Sequence, residues 1–343
     1  MPTITRQSRS LSRPWMLLFI FVGVLVTPAR AWDENGHVIV TRLAFKKLPD
    51  KMPDWLKTPA VRARLEYLSA EPDRWRGQHN VHLDHINSPN HYMDEELLFP
   101  YGLSFEKLPQ LRREFLDILA TQRAQTPEKF DPYDRKKDRK YTRLVPGLLP
   151  YHVAELQWKL AASWTTLKTY KKHRDYVSDE MFQNARQNIV YHMGIISHFV
   201  ADGAQPLHTT EHYNGWAGDN PKGYTTDKGF HSRIDGGVLR HHGITPDSLA
   251  ARALPPKDFN VQNYWREIIN YLQATFAQVE PLYALEKSGD LDKEPGKKFI
   301  EDRLLEAGSM LVTIWTAAHD GAHIDDFRVQ QLLRNKPKPK PVP

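Results

Sequence analysis

The chain has 343 residues, with 47 Lys or Arg against 41 Asp or Glu, sixteen His and no Cys. Without cysteine there are no disulfides and no thiolate metal sites, so imidazole and carboxylate must carry any metal chemistry. Four arginines and no acid lie in the first 31 residues, so without them the formal charge falls from +6 to +2 and any contact with a polyanion must be local.

In chain order, Arg6, Arg9 and Arg13 precede the apolar run 16–26, and Pro28-Ala29-Arg30-Ala31 ends in an Ala-x-Ala pattern. This reads as an export signal cleaved between Ala31 and Trp32, which would leave the mature protein periplasmic or secreted. An apolar run that short does not span a bilayer. Apolar residues then recur at helical spacing: Val40, Leu43 and Ala44, then Leu111, Phe115 and Ile118, then Val153, Leu156, Leu160 and Leu167. The period continues through Ile189, Met193, Ile196 and Val200, through Val261, Trp265, Ile268, Leu272 and Phe276, and through Ile300, Leu304, Leu311, Ile314 and Trp315. With no comparable strand alternation, the expected fold is all-α, a single multi-helix domain over 32–330. Segments 125–143, rich in charge, and 213–229, rich in Gly, Asn, Thr and Pro, read as long surface loops. From 331 to 343, most plainly after Asn335, Lys alternates with Pro, and an extended disordered tail is expected.

The sharpest chemical signal is His198-Phe-Val-Ala-Asp202 followed by His208. Residues four apart share a helix face, so His198 and Asp202 can converge on one metal, and Pro206 should stop the helix and turn His208 back. His231-Ser-Arg-Ile-Asp235 repeats the geometry. Alone, such a pair is more often a surface contact than a metal site; two together are harder to read that way. Upstream, Glu71-Pro-Asp73-Arg-Trp75 and Asn90-His91-Tyr92-Met93-Asp94 add a carboxylate and an imidazole, although Asp73 also suits a helix cap. Cleavage before Trp32 would free an α-amine which, with the Trp32 carbonyl, can close a five-membered chelate, and His37 lies five residues on. With a reference pKa of about 8, that amine can lose its proton to a bound zinc ion near neutral pH.

Taken together, this ordered set resembles the trinuclear-zinc single-strand-specific nuclease and 3′-nucleotidase family, within the superfamily that also holds the bacterial zinc-dependent phospholipases C. The resemblance runs from Trp32 to Asp235, with a weaker echo at Ala307-Gly308. It implies three zinc ions per chain. Asp73, His91, His198 and Asp202 would hold one, and His208, His231 and Asp235 a second. Trp32 and His37, with Asp202 as a bridge, would hold the third. Asp73 and Asp202 are the implied catalytic carboxylates, and Tyr92 and Asp94 the implied residues that stack a base and read its edge.

The implied activity is zinc-dependent endonuclease cleavage of single-stranded DNA or RNA by a zinc-activated water, giving 5′-phosphates, with dephosphorylation of 3′-nucleotides. No stable protein partner is implied. The His37 spacing and the His-x3-Asp form of the last pair favour the nuclease branch. Segment 214–224 departs from the nuclease Gly-Gly-Asn stretch, and Gly229-Phe230-His231-Ser232 resembles the phospholipase version. Two alternatives therefore stand: a phospholipase C acting on lipid headgroups, and a catalytically inert zinc-stabilised binding protein. His192, His212, His241 and His242 remain candidate replacement ligands.

Overall fold

The computed structural model describes residues 32–78 and 80–334, so the expected export signal and the Lys/Pro tail past Arg334 lie outside it. Local rules set the helix starts. Asp33 caps α1 (Glu34–Lys46), its side chain accepting from the backbone N–H groups of Asn35 and Gly36. Thr58 does the same for α2 (Pro59–Ser69), where Pro59 costs no hydrogen bond because the first N–H of a helix has no partner. Helices α3 (Glu71–Arg76) and α4 (Val81–Asn87) are short and lead into a 3-10 turn, Ser88–His91. Helix α5 (Arg112–Gln125) precedes the long loop, in which a 3-10 turn at Pro127–Lys129 is the only helical piece.

Two helices of 24 residues follow, α6 (Leu149–Lys172) and α7 (Asp179–Asp202). After the second long loop come the short helices α8 (Phe230–Ser232), α9 (Val238–His241) and α10 (Pro246–Leu249). The chain closes with α11 (Tyr264–Phe276), α12 (Val279–Ser288), α13 (Glu294–Asp320) and α14 (Asp326–Arg334). The fold is all-α; among the described residues the only strand-like pairing is an isolated bridge between Met93 and Gly147. Residues 331–334, expected to be part of the tail, complete the last turn of α14.

Helices α6, α7 and α13 pack on one another, with α1 and α2 laid across α13 and α7. Trp164, Ile196, Phe199, Leu304 and Trp315 are fully buried between them, and each large apolar side chain so removed from water contributes about 1.5–3 kcal/mol. The Trp315 indole N–H donates to the Met193 carbonyl at 3.2 Å, satisfying the one polar atom of that ring. Every residue of α7 from Met193 to Asp202 is buried. That half-helix therefore carries Ser197, His198 and Asp202 into the centre of the bundle. No helix among the described residues is long and apolar enough to cross a membrane.

Candidate metal centre

Helical spacing delivers the first pair: His198 and Asp202 stand one turn apart at the buried end of α7, with Nε2 3.4 Å from Asp202 Oδ2. Helix α7 stops at Asp202, and a 3-10 turn over Pro206–His208 brings His208 back, as Pro206 predicted. His91 ends the 3-10 turn after α4 and puts Nδ1 3.1 Å from Asp202 Oδ2 and 3.0 Å from His198 Nε2. His37, on α1, stacks on His198 with ring centroids 3.9 Å apart and has Nε2 3.6 Å from Asp202 Oδ1. The two oxygens of Asp202 thus face different imidazoles, the arrangement a bridging carboxylate needs.

The second pair departs from the plain helical geometry expected of it. Helix α8 ends at Ser232 and the chain opens into a π-turn, Arg233–Gly237, so Asp235 sits on the wider π geometry. His231 Nε2 still lies 3.4 Å from Asp235 Oδ2 and 3.0 Å from His208 Nε2. Three sets of donor atoms each gather within 4.8 Å: His37, His198 and Asp202; Asp73, His91 and His198; and His208, His231 and Asp235, every residue buried. Asp73 is carried on α3.

Outer hydrogen bonds fix these side chains. His198 Nδ1 donates to the Ser69 carbonyl at 2.8 Å and His208 Nδ1 to the His91 carbonyl at 2.6 Å, which leaves each Nε2 as a lone pair aimed at the cluster. Gln205 donates to Asp235 Oδ1 at 2.7 Å and accepts from the Leu207 N–H at 2.7 Å. Arg76 lies 3.3 Å from Asp73, one helical turn on. Sequence reasoning passed over Gln205 and Arg76; the i, i+3 spacing of Asp73 and Arg76 was the available signal.

Trp32 is fully buried, and its indole N–H donates to the Ala201 carbonyl at 3.1 Å, beside Asp202. The Asp33 N–H donates to the Asp235 carbonyl at 3.1 Å. The start of the described chain is therefore pinned against both segments that carry carboxylates. Two glycines permit this approach: a Cβ on Gly36 would lie 2.6 Å from Trp32 Cβ, and one on Gly236 2.2 Å from the Asp33 carboxylate.

Burial keeps the imidazoles neutral. It holds His37, His91, His198 and His231 well below the ordinary histidine range, helped at His91, His198 and His231 by the Arg76 charge, and brings His208 to about 4. Burial likewise raises the Asp202 and Asp235 carboxyls well above the usual range. Both His37 nitrogens, His91 Nε2, Asp202 Oδ1, His231 Nδ1 and Asp235 Oδ2 are buried without a hydrogen-bond partner. Each such orphan costs about 1–3 kcal/mol, and a divalent cation would relieve that cost at the atoms that face it, one nitrogen to a ring. The donor set of neutral nitrogen and carboxylate oxygen fits zinc.

Tyr92 and Asp94 flank this cluster on a segment whose Met93 N–H donates to the His208 carbonyl at 2.9 Å. Tyr92 is half-buried; Asp94 is buried with Oδ1 unpartnered, and burial, then Glu96, raises its carboxyl. The alternative histidines are engaged elsewhere. His192 meets the Ser163 hydroxyl, His212 stacks on Trp216, and His241 and His242 reach the carbonyls of Asp292 and Leu291. Comparison with protein-family models found no match to this chain, and comparison with curated proteins found none either.

Proposed function

We propose that the chain is a three-zinc phosphoesterase, cleaving single-stranded nucleic acid to 5′-phosphates and dephosphorylating 3′-nucleotides. The observation that carries this reading is the convergence of buried nitrogen and oxygen donors, several of them unpartnered, in three groups, two of which share His198, with Asp202 turned toward both of those two. Bound zinc would lower the pKa of a water and neutralise charge developing on the phosphoryl group. His37, His91, His198, His208 and His231 would present neutral nitrogens, and Asp73, Asp202 and Asp235 the carboxylates. In this reading the chain is exported and cut after Ala31, so that the Trp32 amine and carbonyl join His37 and Asp202. Arg76 supplies a planar cation beside Asp73, suited to a phosphoryl oxygen. Tyr92 and Asp94 offer a ring and a hydrogen-bonding edge for a base.

One observation favours the lipid alternative: Val81, Leu83 and Ile86 stand exposed on α4, close to the His91 turn. The deciding experiment offers zinc-loaded mature protein single-stranded DNA, RNA, 3′-AMP and phosphatidylcholine side by side. Single strands should be cut faster than duplex and faster than phospholipid. Diacylglycerol release without nucleotide release would move the protein to the phospholipase branch, and no turnover of any substrate would leave the zinc-stabilised binding protein.

A further inference from the structure

The loop 126–143 holds seven Lys or Arg against four Asp or Glu, with Phe130, Tyr133 and Tyr141 set among them. In a mature chain almost balanced in charge, this is a local positive segment. Its acids are partly consumed internally. Asp138 is buried, accepts the backbone N–H groups of Thr142 and Arg143 and the Tyr133 hydroxyl, and so shapes the loop rather than screening it. Lys129, Lys136 and Arg139 make no ion pair among the described residues, while the Arg143 charge acts in part on the Asp138 carboxylate. Arg123, Lys129, Lys137 and Arg143 line a cleft of about 480 Å³ together with Phe130 and Tyr133, against the carboxylates of Asp131, Asp134 and Asp138.

Two rings of the loop are offered to solvent. Tyr133 and Tyr141 are exposed and meet edge to face, with Arg135 over the Tyr141 ring at 4.8 Å and His85 of α4 against it at 6.1 Å. Among the described residues Tyr141 is also the one non-glycine with positive φ, at 56°. A bulky side chain in that region costs about 1–2 kcal/mol, which the surrounding contacts must offset. The loop and the segment just after it are tied to neighbours of the donor cluster. Lys140 pairs with Asp84 at 3.0 Å, Asp94 N–H donates to the Pro146 carbonyl at 2.8 Å, and Arg143 acts electrostatically on Tyr213, whose ring lies 6.0 Å from that of His231.

From these residues we infer that loop 126–143 is a docking platform for single-stranded polynucleotide, its free cations tracking the phosphates and Tyr133 and Tyr141 stacking bases of the strand that leads to the metal centre. Sequence-tolerant single-strand binding combines these two elements, a positive groove and exposed rings. A membrane is the other macromolecule an exposed α4 could meet. The platform itself is aromatic and cationic rather than aliphatic, and its cleft has the scale of a small-molecule site. The inference rests on the phosphoesterase reading, and the test separates the two.

The full mature zinc-loaded protein is titrated with a hydrolysis-resistant phosphorothioate oligothymidylate of about twelve nucleotides, and with phosphatidylglycerol vesicles, across a salt series. The variants are Lys136→Ser/Arg139→Ser/Arg143→Ser, Tyr141→Asn, which tolerates positive φ, and Tyr141→Phe, which keeps the ring. The triple variant should bind the oligonucleotide with a salt slope smaller by about 2. Tyr141→Asn should lose about tenfold in affinity and Tyr141→Phe little. Hydrolysis of a small phosphodiester such as bis(p-nitrophenyl) phosphate should be unchanged in all three, which also shows that they fold. Unchanged oligonucleotide affinity and slope in the triple variant would overturn the platform, as would loss of vesicle binding alone. Oligonucleotide binding with the expected dependence in a protein that hydrolyses no phosphodiester would retain the platform and remove the phosphoesterase.

Discussion

Asp202 is the side chain on which the proposed centre turns, because its two oxygens face His37 on one side and His91 and His198 on the other. Asp202→Asn preserves shape and removes the charge, so it should lower the zinc content by about two ions per chain, while Asp235→Asn should lower it by about one. Elemental analysis of the purified variants decides this; equal losses would place Asp202 in a single site. Glu95 gives a prediction independent of metal. Burial pushes its carboxyl up to about 7 from 4.5, against the opposing hydrogen bond from the Phe105 N–H. A folded-state pKa raised above the unfolded one means that the protonated form is favoured by the fold. The stabilisation it brings is full below about 4.5 and is lost as pH rises through about 7. Glu95→Gln keeps an acceptor for Phe105 without titrating. The stability difference between wild type and Glu95→Gln should therefore shift against wild type over that interval in chemical denaturation; a difference flat in pH would show that the carboxyl is not perturbed.

At the scale of elements, the helices were legible because apolar residues repeat at the helical period over many turns: α6, α7 and α13 each contain the residues their period names. The pairing of His198 with Asp202 was legible for the same reason. The π-turn was not: His231 and Asp235 have the same spacing as His198 and Asp202, and nothing local distinguishes a wider turn. It lies where Asp33 approaches Gly236, a tertiary contact. The outer partners were equally hidden, because the Ser69 carbonyl and Gln205 become relevant only once distant segments meet. At the first helix, Gly36→Ala should force Trp32 from its seat. The expected cost is about 1–3 kcal/mol, measured by denaturant unfolding, together with weaker retention of one zinc. A variant as stable as wild type would mean that Trp32 has room to shift. The precursor side of the same contact is tested by one extra Met before Trp32, verified by mass spectrometry. If the α-amine is a ligand, about one zinc per chain should be lost with the helical fold retained, whereas equal zinc and equal activity would remove the amine from the centre.

For the whole molecule, the donors sit where a helical bundle otherwise places hydrocarbon. With no disulfide to constrain the unfolded chain, metal bound at the proposed centre would be a principal external source of stability, each site adding about 2.7 kcal/mol at a hundredfold excess over its dissociation constant. Chelation should lower Tm by about ten degrees or more, followed by calorimetry, and returning zinc should restore it. The buried half of α7, Met193 to Asp202, carries this coupling further. Its backbone amides lie where apolar core and donor cluster coincide, so no local opening frees them without dissolving both. Amide hydrogen exchange of those ten residues should then follow global unfolding and slow together when zinc is added, while amides in the exposed first turns of the same helix exchange by fraying and ignore the metal. One continuous helix would thus behave as two cooperative units, with the division falling where its sequence turns inward.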